Sequence, residues 1–124
     1  MEFVSFEIAK KLKDLGFNEP FFFFYREDDK VKYVHHANIN KPLIYCNKVD
    51  DEVIIAPTIS QVLKWLREEK KIYLELVIVV DGEYMCDIYK IDARPIECLG
   101  STEYSKTYEA AALAGIEYVL DNLI

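Results

Sequence analysis

The segment IYLELVIVVDGEYMCDIYKI, residues 72–91, constrains the fold more than any other part of the chain. Two runs of β-branched and aromatic residues flank Asp81-Gly82, a strong short-range turn signal, so an antiparallel hairpin is expected. Its register has two solutions. A two-residue turn pairs Leu76 with Asp87 and places a carboxylate on the apolar face of Ile72, Leu74, Leu76 and Ile78. A three-residue loop, Val80-Asp81-Gly82 with Gly82 as a bulge, instead brings Tyr84, Cys86 and Ile88 onto that face and sets Asp87 opposite Glu75. The second is preferred, because burying a lone carboxylate costs more than a like-charge pair in water.

A second hairpin is expected over PFFFFYREDDKVKYVHH, residues 20–36. The aromatic run does not alternate with polar residues, although successive strand side chains point to opposite faces. With Asp28-Asp29 as the turn, Phe24 faces Tyr33, Phe23 faces Val34 and Tyr25 faces Lys32. The lysine marks the face of Phe21, Phe23 and Tyr25 as the wetter one, which leaves Phe22 and Phe24 for the core. Tyr73 and Tyr89 occupy the wetter face of the other hairpin. Phe23, Tyr25, Tyr73 and Tyr89 are therefore the candidate partner-binding residues, forming an aromatic surface edged with carboxylates. The competing expectation is that both faces of the strand are covered and all the rings are core.

Three helices complete the pattern. The first, at about 5–15, has Ser5 as N-cap and an apolar face of Val4, Ile8, Leu12 and Leu15; Gly16 and Phe17 fit its C-terminal cap. The second, at about 59–70, follows Thr58 and Gln61, which have capping-box spacing. The third, at about 107–122, begins at Thr107 and carries Ala111, Ala112, Ala114 and Gly115 in its middle. A mid-helix glycine costs about 1 kcal/mol relative to alanine, so close approach to a sheet is expected there. Short strands are expected at 42–46, at 53–56 and around 96–99. The fold class is α+β: a single domain spanning 1–124, with an antiparallel sheet of two hairpins plus short strands and the three helices packed mainly on one face.

The pattern offers little catalytic chemistry. His35 and His36 are adjacent, and strand neighbours point apart, so they do not chelate one ion. Cys46, Cys86 and Cys98 have no C-x-x-C spacing and read as free thiols of a reducing cytoplasm. The carboxylates of REDDK and VDDEV lack the ligand pattern of a Ca²⁺ loop. There is no glycine-rich phosphate loop and no G-x-S-x-G. No catalytic residue, metal ligand or cofactor is assigned. The longest apolar run, LVIVV, has strand length, so no membrane span is expected.

The formal net charge of -7 disfavours contact with phosphate backbones. The helix-hairpin…helix order is similar to that of double-stranded-RNA-binding modules, but those need lysines at the start of the last helix, where this chain has Lys106 and then Glu109. Three segments together, EFVSFEIAKKLKDLGFNEP (2–20), APTISQVLKWLRE (56–68) with KKIYLEL, and YEAAALAGIEYVLDNLI (108–124), resemble a group of uncharacterised small proteins encoded by gut Bacteroidales genomes and their phage-like or mobile elements. That resemblance implies a cytoplasmic bacterial or phage accessory protein and carries over no functional residue. The expected function is a non-catalytic interaction or accessory protein, monomeric or homodimeric, with a protein partner. The alternatives are a nucleic-acid-associated protein or acidic DNA mimic, and a small enzyme.

Overall fold

The structure, a computed structural model, describes residues 2–19, 23–26, 31–33 and 53–124. The architecture is α+β, with three helices and antiparallel strands among the described residues. The strands form two three-stranded sheets rather than the one sheet expected. The chain divides into two compact units, Phe3–Thr58 and Ile59–Ile124, the latter including Glu2. The expected strand at 42–46, the turn in REDDK, Phe21, Phe22, the two histidines and Cys46 lie outside the described residues.

In the first unit, α1 (Phe6–Asp14) begins at Ser5, whose hydroxyl accepts from the Ile8 amide at 3.2 Å. It ends as the sequence predicts. Gly16 has φ 87°, and the amides of Gly16 and Phe17 return to the carbonyls of Lys13 and Leu12. Phe17 and Leu12 are both buried, the apolar contact that accompanies this cap. The sheet has the order β2 (Val31–Tyr33), β1 (Phe23–Arg26), β3 (Val53–Ile55). Val4 donates to the Pro57 carbonyl at 3.1 Å, and Phe3 bridges to Thr58. The lead-in to α1 is thereby tied to the chain that follows β3.

The register of β1 with β2 corrects the expectation by one residue: Phe23 pairs with Tyr33, Phe24 with Lys32 and Tyr25 with Val31. A one-residue slip exchanges the faces of a strand. Phe24, not Tyr25, is thus the residue registered beside the lysine. Tyr25 is 4% exposed and its hydroxyl donates to the Val4 carbonyl at 2.7 Å. Its ring meets Phe6 edge-on at 5.3 Å, and Phe23 meets Phe3 at 5.0 Å. Ile55, paired with Phe24 and so on the opposite face from Tyr25, is buried as well. Burial thus occurs on both faces of this sheet, which is why the aromatic run need not alternate.

In the second unit, α2 (Ile59–Glu69) leads into β4 (Ile72–Ile78), a single tight turn at Val80–Gly82, β5 (Tyr84–Lys90), β6 (Glu97–Ser101) and α3 (Tyr108–Asn122). The sheet order is β4-β5-β6. Glu75 pairs with Asp87 and Leu76 with Cys86, the bulged register. Asp81 and Gly82 take φ of 70° and 73°, and the Val79 amide closes the loop onto the Glu83 carbonyl at 2.8 Å. Ile72, Leu74, Cys86 and Ile88 make the buried face, against which α3 lays Ala111, Ala112, Gly115, Ile116 and Val119. α2 packs on β4 and on α3 through a stripe that includes Val62 and Leu66. Lys71 stands just past α2 at φ 58°, and its ammonium donates back to the Glu68 carbonyl at 2.8 Å. A side chain thus satisfies a carbonyl that the helix end leaves open.

Candidate functional site

The face of the second sheet turned away from α3 is built by strand alternation alone. Residues that alternate with Ile72, Leu74, Cys86 and Ile88 point away from α3. On β4 these are Tyr73, Glu75 and Val77; on β5 they are Met85, Asp87 and Tyr89. Antiparallel pairing sets Tyr73 beside Tyr89 and Glu75 beside Asp87. β6 adds Cys98 opposite Tyr89 and Ser101 opposite Asp87, across a register shift between Ile88 and Tyr89. Tyr73 is exposed, Tyr89 half-buried. The result is a tyrosine pair next to a carboxylate pair.

The two carboxylates share a small polar network. The Ser101 hydroxyl donates to Asp87 Oδ1 at 2.6 Å, and Tyr89 stands within electrostatic reach of both Asp87 and Glu75. Partial desolvation pushes the Tyr89 hydroxyl above its ordinary pKa, and the charges of Asp87 and Glu75 push it further the same way. Tyr89 therefore remains a neutral donor and offers its ring, not a phenolate, at neutral pH. Glu75 and Asp87 stand opposite each other with no cation in hydrogen-bond range among the described residues.

The four sequence-derived candidates divide between the two sheets. Tyr73 and Tyr89 adjoin on this face, whereas Phe23 and Tyr25 belong to the other sheet. Tyr25 is core, because the register of its hairpin turns it toward α1; Phe23 is half-buried. The contributions of Met85, Cys98 and Ser101 went unread in the sequence. Alternation could have found Met85, but Cys98 and Ser101 needed the shifted β6 register.

A groove of about 400 Å³ borders the same sheet at the outer edge of β4. Its walls are Leu63 and Arg67 of α2, Tyr108 of α3 and residues 73–76 of β4.

No cluster of three or more potential metal ligands occurs among the described residues. Of the two cysteines described, Cys98 is exposed and Cys86 is fully buried. Burial, and secondarily the charge of Asp87, pushes the Cys86 thiol from 9.0 up to about 12. Two results are expected. A thiol reagent at neutral pH modifies Cys98 in the folded protein and reaches Cys86 only after unfolding. The folded state also holds the Cys86 proton where the unfolded state releases it, so the Cys86 contribution to stability is complete below pH 9 and is lost as pH rises from 9 toward about 12. Denaturation midpoints across that range should fall less steeply in Cys86→Ala; equal slopes would refute the assignment.

No family model, curated protein or solved structure matches the chain. No helix among the described residues is long and apolar enough to cross a membrane.

Proposed function

We propose that the protein is a non-catalytic interaction module of the bacterial or phage cytoplasm, and that the open face of its second sheet receives a basic segment of a partner protein. The observation that carries this reading is the pairing of Tyr73 with Tyr89 directly beside Glu75 with Asp87, on a face that neither α2 nor α3 covers. Tyrosine rings take lysine and arginine side chains over their faces, at about 0.5–1 kcal/mol each in exposed sites. The adjoining carboxylates supply the complementary charge, and the net charge of -7 steers a cationic partner inward from a distance.

The test is binding of a fluorescent Lys/Arg-rich peptide to the full chain, with an acidic peptide and a DNA duplex as parallel probes. The basic peptide alone is expected to bind, more weakly as salt rises. Combined Glu75→Lys and Asp87→Lys should weaken it at least about tenfold. Binding of the duplex, or basic-peptide binding indifferent to the double charge reversal, would overturn the proposal.

A further inference from the structure

The outer edge of β4 is the most unusual surface of the second unit. The Val79 amide bonds to the Glu83 carbonyl, and the Ile91 amide to the Lys71 carbonyl. In an antiparallel ladder these bonds recur at every second residue, so Tyr73, Glu75 and Val77 exchange bonds with β5. The N–H and C=O groups of Ile72, Leu74, Leu76 and Ile78 consequently point away from β5. Among the described residues no backbone group pairs with them. An unpaired edge of this length is a template for another strand. Four of the seven exposed large apolar side chains among the described residues lie along it or its flanks: Tyr73, Ile78 at 71%, Val80 at 82%, and Tyr108. Natural edge strands are usually protected by charged side chains, proline or a bulge; β4 has a single charge, Glu75, and neither proline nor bulge.

We infer that this edge pairs with the same edge of a second copy of the chain, making an antiparallel β4–β4 dimer with one continuous six-stranded sheet. Three points favour a second copy over the basic segment proposed for the open face. The groove along the edge holds one cation, Arg67, and one carboxylate, Glu75, so it carries no net charge of its own to attract a basic partner. Its other walls are aliphatic and aromatic. Its sequence is also self-complementary in the register centred on Leu76. A twofold axis at Leu76 sets Leu74 against Ile78 of the second copy, and Glu75 against Val77. Both exposed ends, Ile78 and Val80, then lie along the apolar line of Leu74 and Ile72. Moving the axis to Glu75 brings two carboxylates face to face, which is unfavourable. Moving it to Leu74 runs Lys70 and Lys71, at the end of α2, into the pairing. A twofold contact of this kind closes on itself and does not propagate.

The test is sedimentation of the full chain from about 1 to 500 μM, a range spanning typical weak to moderate dimers. Wild type is expected to move from monomer to dimer. Ile78→Pro removes one outward N–H and one exposed side chain but no bond to β5, so it should keep the thermal midpoint and raise the dimer Kd at least about tenfold. Ile78→Lys with Val80→Lys should do the same if proline disturbs folding. In a Cys46→Ser, Cys86→Ala, Cys98→Ser background, which removes the thiol paired with position 76 within the chain, Leu76→Cys should form a disulfide-linked dimer on mild oxidation, because the register brings position 76 beside itself; Leu74→Cys should not. A wild-type monomer at 500 μM, a dimer that survives the edge substitutions, or cross-linking at 74 but not 76 would each overturn the inference. None of these outcomes depends on whether a basic peptide binds the open face.

Discussion

Replacing Gly115 with alanine is expected to destabilise the protein by about 1–3 kcal/mol, although alanine is the better helix former. Propensity alone predicts a gain of about 1 kcal/mol. Space decides otherwise. A Cβ at position 115 would stand 2.6 Å from Cys86 Sγ, 2.9 Å from Leu74 Cδ2 and 3.2 Å from Cys86 Cβ. The leucine methyl can rotate away. Cys86 cannot easily retreat, since it sits on the central strand, fully buried. Its amide donates to Thr102 Oγ1 and its carbonyl accepts from the Thr102 amide, both at 2.9 Å. The helix must lift or the strand must bend. Gly115→Val should cost more still. The diagnostic result is rescue: Cys86→Ala removes the sulfur that the new methyl meets, so Gly115→Ala should cost at least about 1 kcal/mol less in that background. Urea denaturation of the four proteins in this cycle measures it, and simple additivity would refute the close approach.

Truncating Tyr25 should be the most damaging change on the first sheet. Tyr25→Ala empties a fully enclosed aromatic site and is expected to cost about 3–5 kcal/mol. Tyr25→Phe keeps the ring but leaves the Val4 carbonyl without the hydroxyl it accepts from at 2.7 Å. Depriving a buried acceptor of its donor costs about 1–3 kcal/mol. By contrast, Tyr73→Ala on the open face of the second sheet should shift stability by no more than about 0.5 kcal/mol, as surface changes usually do. Thermal or chemical denaturation separates the two classes. A Tyr25→Ala variant as stable as wild type would place that ring on the surface after all.

The contrast between these tyrosines shows which parts of the fold could be read in advance. In the second hairpin, Asp81-Gly82 marks the turn, and the cost of burying Asp87 selects the register, so Tyr73 and Tyr89 can be assigned to the open face from sequence. Gly115 likewise announces the close approach of α3, and Gly16 the end of α1. The first hairpin has no such punctuation. REDDK contains no glycine, proline or asparagine to fix the loop length, and a slip of one residue was enough to put Tyr25 on the wrong face. Strand order was not legible either. The pairing of β1 with β3 joins Phe24 to Ile55 across a long stretch of chain, and local pattern carries no signal for it. The same gap hid the open edge of β4 and the division into two sheets, since alternation defines faces and says nothing about neighbours.

The tie between the start of α1 and the chain after β3 also sets the order in which the first unit can be completed during synthesis. Val4 and Phe3 find their backbone partners only at Pro57 and Thr58, and β1 gains its second neighbour only with Val53–Ile55. Until those residues leave the ribosome, the nascent chain holds one edge of β1 open beside a row of phenylalanines. Closing a loop of that length is slow compared with forming α1, because its entropy must be paid before any distant contact returns it. This half-made sheet therefore outlasts the emergence of position 58 and ends only when the loop has closed.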